Sequence, residues 1–349
     1  MIETLSAAYS AAAAWRRQWY ARDPSRRRTL TRPVVSVGNL RVGGTGKTPT
    51  VEYLARLLVD NGDRPVILTR GYARRRPMDG VTIVSDGATI RADLDTAGDE
   101  PLMLAKALPS VAVLVGADRY LSGVFAERQL DATVHILDDG FQHFELARDV
   151  DLLLASEDDL SDRPLPAGRL REGIAAAAVA DAVLVTAGYD TAAERIGRGL
   201  GVATVFRLTR AIAPPRTLTA ARDSVVVPPN SRVFVVTGIA RPDRFHADVS
   251  AAGWEIAGAI DFRDHHRFDA RDVTRITQAA RAAGAAIVLT TEKDAVRLTA
   301  CDLGDLPIAA VPLVVGVEPA DRFRDWLLGR LRESRTPTLE SRIPNPESR

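Results

Sequence analysis

The sequence predicts an α/β protein: a mostly parallel sheet covered by helices, then a linker and a second, smaller α/β unit. Three observations carry this expectation. From Arg32 onward, short apolar runs alternate with helical stretches, the pattern of a mostly parallel sheet covered by helices. The composition changes once, around "AIAPPRTLTAARDSVVVPPNS", where Pro214, Pro215, Pro228 and Pro229 flank short β-like runs. Beyond it the alternation resumes in a shorter form. The expected division is 1–212, a linker over 213–230, a smaller unit over 231–332, and a disordered polar tail over 333–349.

Taken in order, the chain opens on "LSAAYSAAAAWRRQWYARDPSRRR". Leu5, Tyr9, Ala12, Trp15, Trp19 and Tyr20 fall near helical spacing, and Arg16, Arg17, Arg22, Arg26, Arg27 and Arg28 cluster toward its end. An aromatic and basic helix of this kind suits a bilayer interface with anionic head groups. It equally suits a helix packed on its own domain with its arginines in solvent. "PVVSV", "PVILT", "VAVLV", "TVHIL", "DLLLA" and "AVLVT" each read as a short buried strand, and "TVEYLARLLVDNG" as a helix ending at Asn61-Gly62. In the second unit "RVFVVTGIA", "WEIAGAIDF" and "AAIVLTTEKD" read as strands and "RPDRFHADVSAAG" and "ARDVTRITQAARAAG" as helices. "PIAAVPLVVGV" closes that sheet, and "PADRFRDWLLGRL" is a last helix with Phe323, Trp326, Leu327 and Leu331 on roughly one face.

Composition narrows the function classes. At 349 residues, 46% hydrophobic and 26% charged, the chain is an ordinary globular protein able to bury a full core. A net charge of +1 gives no global field for nucleic acid. A single cysteine, Cys301, excludes an internal disulfide and a multi-cysteine metal site. No apolar run is long enough to span a bilayer. The N-terminus makes a poor signal peptide, because Glu3 comes first and the arginines follow the apolar stretch.

The chemistry begins at "GGTGKT", Gly43 to Thr48, which follows a strand and opens a helix. Gly43, Gly44 and Gly46 let the backbone approach phosphate, Lys47 reaches the outer phosphates, and the Thr48 hydroxyl suits Mg²⁺. The nucleotide-binding stretch thus runs over Gly43, Gly44, Thr45, Gly46, Lys47, Thr48 and Pro49. The strict pattern has a glycine where this chain has Arg41. "TVHILDDGFQH" supplies the acidic partner at a strand end: Asp138, able to hold Mg²⁺, with Asp139 beside it. His135, inside that strand, reads as a core histidine; His143 lies beside the metal site. "IVLTTEKDA" fails as a guanine-reading loop, since Lys293 and Asp294 are adjacent, so ATP is the expected nucleotide.

A kinase also needs a base and an acceptor site. Asp99 and Glu100 precede a helix, where they also read as ordinary cap residues. Arg169, Arg171 and Glu172 lie in a Pro/Gly loop after a strand. Asp264, His265 and His266 follow a strand of the second unit, where a histidine beside an aspartate can serve as a base near neutral pH.

Together "VGNLRVGGTGKTP", "LTRGYARR", "GDEPLMLA", "LDDGFQH", "RDVDLLL", "LPAGRLRE", "FRDHHRF" and "TTEKDAVRL", in this order, resemble the tetraacyldisaccharide 4'-kinase family of the lipid A pathway. The resemblance spans about residues 5–330. It covers the atypical phosphate loop and implies a P-loop NTPase-like α/β/α domain and a second, smaller α/β/α domain, joined by a short β linker, with the active-site cleft between them. It implies transfer of the γ-phosphate of ATP to the 4'-hydroxyl of a membrane-borne disaccharide 1-phosphate, giving lipid IVA. It also implies a peripheral protein on the cytoplasmic face of the bacterial inner membrane, docked by its first helix. Carried over to this chain, Lys47 and Thr48 serve phosphate and Mg²⁺, and Asp138, Asp139 and Glu172 shape the metal site. Asp99 takes the acceptor proton, His265 assists it across the cleft, and Arg171 stabilises the transferred group. Arg70 and Arg119 contact the substrate's own phosphate. Ala73 stands where the family commonly has glycine. A monomer without nucleic-acid partners is expected. The rival expectations are a membrane-associated P-loop ATPase switch and a small-molecule kinase without membrane contact.

Overall fold

The computed structural model describes residues 1–72, 74–218 and 226–335. Helix α1 (Ile2–Ala21) leads into strand β1 (Val34–Asn39) and helix α2 (Lys47–Asp60). Strands β2 (Pro65–Thr69) and β3 (Thr82–Asp86) precede helices α3 (Leu94–Ala97) and α4 (Asp99–Ala107). Next come β4 (Ala112–Val115), α5 (Arg119–Gln129), β5 (Val134–Asp138) and β6 (Val150–Ser156). Helix α6 (Glu157–Ser161), β7 (Ala182–Thr186), α7 (Asp190–Leu200) and β8 (Val205–Ile212) follow. The middle segment holds β9 (Arg216–Thr217), β10 (Arg232–Thr237), α8 (Pro242–Ala251) and β11 (Glu255–Asp261). It continues through α9 (Ala270–Ala282), β12 (Ile287–Thr291), α10 (Glu292–Leu298) and β13 (Ile308–Val311). Strand β14 (Leu313–Glu318) and helix α11 (Ala320–Arg335) end the described chain.

Two sheets result. The larger runs β14-β8-β7-β6-β1-β5-β2-β4-β3 and the smaller β11-β10-β12-β13-β9. The larger sheet is parallel except at its edges, where β3 pairs antiparallel with β4 and β14 with β8. Its central strands carry apolar side chains on both faces, as a sheet covered by helices on both sides requires. Val51, Leu54, Ala55 and Leu58 recur at helical spacing on α2 and fill one face of this core. Each buried Val or Leu among them contributes about 1.5–3 kcal/mol.

One expectation about the second unit is corrected. The run "PIAAVPLVVGV" does not close the smaller sheet alone. Pro312, with no amide to donate, divides it, so β13 stays in the smaller sheet while β14 returns to the larger one. Helix α11 returns with it: Phe323, Leu327 and Leu331 are buried in the core of the larger sheet, with Phe323 edge-on to Phe206 at 5.0 Å. The segment 231–332 is therefore not one structural unit. Within the expected linker, β9 belongs to the smaller sheet, and 219–225 lie outside the described residues. Glu333 to Arg335, expected in the tail, continue α11; the rest of that tail and Ala73 also lie outside the described residues.

Among the described residues no helix is long and apolar enough to cross a membrane. Helix α1 leaves Leu5, Trp15 and Trp19 exposed at 56%, 65% and 40%, while Ser6 donates to the Pro164 carbonyl at 2.7 Å on its buried side.

Candidate active site

A cleft of about 960 Å³ opens between the phosphate loop and the smaller sheet. Its floor is built by β1 and α2. Gly46 caps α2 with φ 88° and Gly43 has φ 107°, conformations that a side chain disfavours. The turn places Gly43 to Pro49 along the cleft, where the first amides of α2 have no partner within the helix. Asn39, at the end of β1, ties this loop down: its Nδ2 donates to the Arg41 carbonyl at 2.7 Å and to Thr45 Oγ1 at 2.8 Å. Its Oδ1 accepts from Lys47 Nζ at 3.0 Å. Arg41 itself turns away, toward Asp158, Asp159 and Asp162 around α6, at 2.8–3.3 Å. Its side chain therefore does not fill the loop, which is why a glycine is not needed there.

Strand β5 runs beside β1 and delivers Asp138 opposite Val37. Asp138 is buried, and Thr69 Oγ1 reaches it only at 3.4 Å. Burial first, and the carboxylates of Glu100 and Asp139 next, push its carboxyl up to about 7. An oxygen-rich, electron-rich pocket of this kind fits a hard divalent cation. Asp138 and Thr48 supply two oxygen donors. Among the described residues no group of three His, Cys, Asp or Glu side chains forms a ready metal cage. That suits Mg²⁺, which takes one or two carboxylates and completes its shell with phosphate and water.

Asp139 follows in the left-handed region, φ 55°. Its burial would raise the carboxyl, but Lys47 and Arg171 outweigh it and hold the carboxyl below the ordinary range. Arg171 Nη1 donates to Oδ1 and Oδ2 at 2.8 and 2.7 Å, and Lys47 Nζ lies 3.5 Å away. Glu172 does not join the expected metal site. It is buried on the far side of its loop, where Arg17 of α1 takes both its oxygens at 2.7 and 2.8 Å. A carboxylate so neutralised is not available to a cation in the cleft.

The opposite wall brings together Asp99 and His265, from the two sheets. Asp99 begins α4 and is buried. His265 Nδ1 lies 2.9 Å from Asp99 Oδ2, and its Nε2 lies 3.3 Å from Lys293 Nζ. Because an ammonium only donates, Nε2 must accept, so Nδ1 carries the proton and donates to Asp99. Burial works against the Asp99 carboxylate, but the His265 hydrogen bond, Lys293 and Arg297 together hold its carboxyl below the ordinary range. His265 adopts φ 58°, a strained region for a non-glycine residue, held by its amide donating to the Gly238 carbonyl at 3.1 Å. His266, by contrast, turns to Asp272 at 2.8 Å and stacks on Phe262. The adjacent histidines thus face different partners.

Arg70 and Arg119 both line the cleft beside His143. Burial, then the neighbouring Arg70, holds the Arg119 guanidinium below its usual value. His143 is pushed down to about 4 by burial and by Arg119 and Arg148. This corner therefore gathers the positive charge of two guanidiniums. His135 is a core histidine, 3.2 Å from Glu127.

Three contributors escape sequence reasoning: Asn39, Lys293 and Arg17. Asn39 had a local signal, as the last residue of a strand entering a phosphate loop. Lys293 lay in a motif with no assigned role. Arg17 had none, its partner being 155 positions away.

Known proteins resemble the chain along nearly its whole length. The family described as tetraacyldisaccharide-1-P 4'-kinase matches residues 1–332. A tetraacyldisaccharide 4'-kinase of Geobacter sulfurreducens is 41% identical over 309 residues, 86% of this chain and 84% of the relative. One from Desulfotalea psychrophila is 38% identical over 303 residues, 84% of this chain and 86% of the relative. The crystal structure of LpxK from Aquifex aeolicus in complex with ATP superposes with a TM-score of 0.76 at 31% identity, covering 95% of this chain and 98% of that one.

Proposed function

Because the chain belongs to the tetraacyldisaccharide 4'-kinase family, we propose that its cleft carries out the family's reaction with the residues assembled above. The chain is a kinase of lipid A biosynthesis: it transfers the γ-phosphate of ATP to the 4'-hydroxyl of tetraacyldisaccharide 1-phosphate. The residue roles are our reading. The phosphate loop holds the triphosphate through its amides and Lys47. Thr48 and Asp138 hold Mg²⁺, which when bound neutralises phosphate charge. Asp139 orients Arg171 and Lys47 toward the transferred group. Asp99 receives the proton of the 4'-hydroxyl as the new O–P bond forms, and His265 orients it. Phosphoryl transfer asks mainly for such positioning and charge stabilisation, not for a strong nucleophile.

One observation carries this reading: the 2.9 Å Asp99–His265 contact, which joins the first turn of α4 to a loop of the smaller unit beside the cleft that His265 and the phosphate loop line. A nucleotide switch has no use for a buried carboxylate–imidazole pair there, and membership of a kinase family disfavours that alternative. The test is transfer from γ-labelled ATP to lipid A disaccharide 1-phosphate in detergent micelles. Asp99→Asn is expected to lower kcat at least about a hundredfold while ATP affinity stays near that of the parent. Turnover close to the parent's would leave Asp99 as a first-turn carboxylate of α4, behind its N-cap Gly98.

Membrane contact belongs to the same proposal. The exposed Leu5, Trp15 and Trp19 on α1 support docking at a membrane surface, which we take to be the cytoplasmic face of the inner membrane, with the protein a monomer there. Trp15→Glu is expected to weaken co-sedimentation with anionic phosphatidylglycerol vesicles without lowering Tm. Unchanged vesicle binding would remove α1 from that role.

A further inference from the structure

Helix α1 reaches the loops behind the active site through Arg17. Arg17 grips Glu172 with both prongs, Nε to Oε2 and Nη2 to Oε1, and the pair is nearly shut off from solvent, at 12% and 4% exposure. The rings of Phe141 and Phe144 lie 4.5 and 4.7 Å from its guanidinium carbon. These partners belong to two particular loops. Glu172 directly follows Arg171, and Phe141 stands two residues after Asp139. Arg17 therefore clasps, from behind, the two loops whose front sides meet at the 2.7 Å contact between Arg171 and Asp139. Neither loop has slack elsewhere. The Arg171 amide donates to the Leu40 carbonyl at 2.6 Å, and Phe141 packs so closely on Gly38 that a Cβ there would lie 2.4 Å from its own.

We propose that Arg17 is a positioning residue for phosphoryl transfer: it fixes the spacing of Arg171 and Asp139, and through Asp139 the reach of Lys47. This rests on the roles given above to Arg171 and Asp139. The chemistry favours arginine specifically. Its planar fork meets a carboxylate in two parallel bonds and offers flat faces to aromatic rings, whereas lysine offers one point charge. Without Arg17, Glu172 is a buried carboxylate with no counter-ion.

The test uses the full-length chain in detergent micelles with both substrates saturating. Arg17→Met is expected to lower kcat about tenfold or more, with Arg17→Lys between it and the parent. The lipid KM and co-sedimentation with phosphatidylglycerol vesicles should stay within about twofold, since the exposed face of α1 is untouched. Arg17→Met combined with Glu172→Gln removes the stranded carboxylate, so it should recover Tm and leave kcat low; it also serves if the single variant does not fold. The proposal is overturned if kcat of Arg17→Met lies within about twofold of the parent. It is equally overturned if kcat recovers together with Tm in the double variant, or if the loss falls wholly on lipid KM and vesicle binding. Arg171→Met, measured alongside, separates this proposal from the reading beneath it: near-normal turnover there overturns the role of Arg171 itself.

Discussion

Lys293 places its ammonium 3.2 Å from Glu100, 3.6 Å from Asp264 and 3.3 Å from His265 Nε2. Burial works against its charge, but Glu100, Asp99 and Asp264 outweigh it and raise its pKa. It is also one of the cations that hold the Asp99 carboxyl low. In Lys293→Met the Asp99 carboxyl should therefore rise. If the anion is the working form, the acidic limb of the kcat–pH profile moves to higher pH, and a profile of unchanged shape would exclude this coupling. Much of the site's inventory was legible one residue at a time. Lys47 and Asp138 follow from a strand–loop–helix motif and from a strand ending in carboxylates, both local patterns. Glu172 was misread for the opposite reason. Its loop points to the cleft in sequence, but which way a side chain leaves a loop depends on distant partners, here Arg17.

Helices α2 and α10 each bring a carboxylate to the junction of the two units. Glu292 of α10 is pushed up to about 7, by burial first and by Glu52 of α2 second, with Arg216, Arg56 and the Leu313 amide easing it. Glu52 pairs with Arg56 and is itself raised, again by burial first. A carboxyl whose folded pKa lies above its unfolded one favours the folded state only while protonated. Stability should thus decline as pH climbs from about 4.5 to about 7 and then level off. Glu292→Gln should raise stability at pH 8 by on the order of 2 kcal/mol and change little at pH 4. Equal Tm differences at both pH values would show that this carboxyl is not strained. Most elements were legible from periodicity, because strands buried on both faces write unbroken apolar runs. The division of 308–318 between two sheets was not. An apolar run states that a segment is buried, not in which sheet, and only Pro312 marks the break.

At the scale of the whole chain, the smaller sheet is an insertion. Strand β8 leaves the larger sheet at Ile212 and β14 re-enters it at Leu313, and these two residues are direct partners. Just beyond them the Ala213 amide donates to the Pro312 carbonyl at 2.9 Å. Replacing 213–312 by a two-residue hairpin turn should leave a larger unit that unfolds cooperatively and still binds ATP. It should phosphorylate no lipid, because His265 and Lys293 are gone. Failure of the excised chain to unfold cooperatively would show that the larger unit depends on the insertion. The paired passage also has a mechanical meaning. Two neighbouring strands carry the smaller unit, held together by Ile212–Leu313 on one side and Arg216–Ala310 on the other. Sliding along the cleft would shear both rungs at once, whereas rotation about the pair only twists them. Rotation about this pair is thus the easiest relative movement of the two units, and its arc would carry His265 toward or away from Asp99.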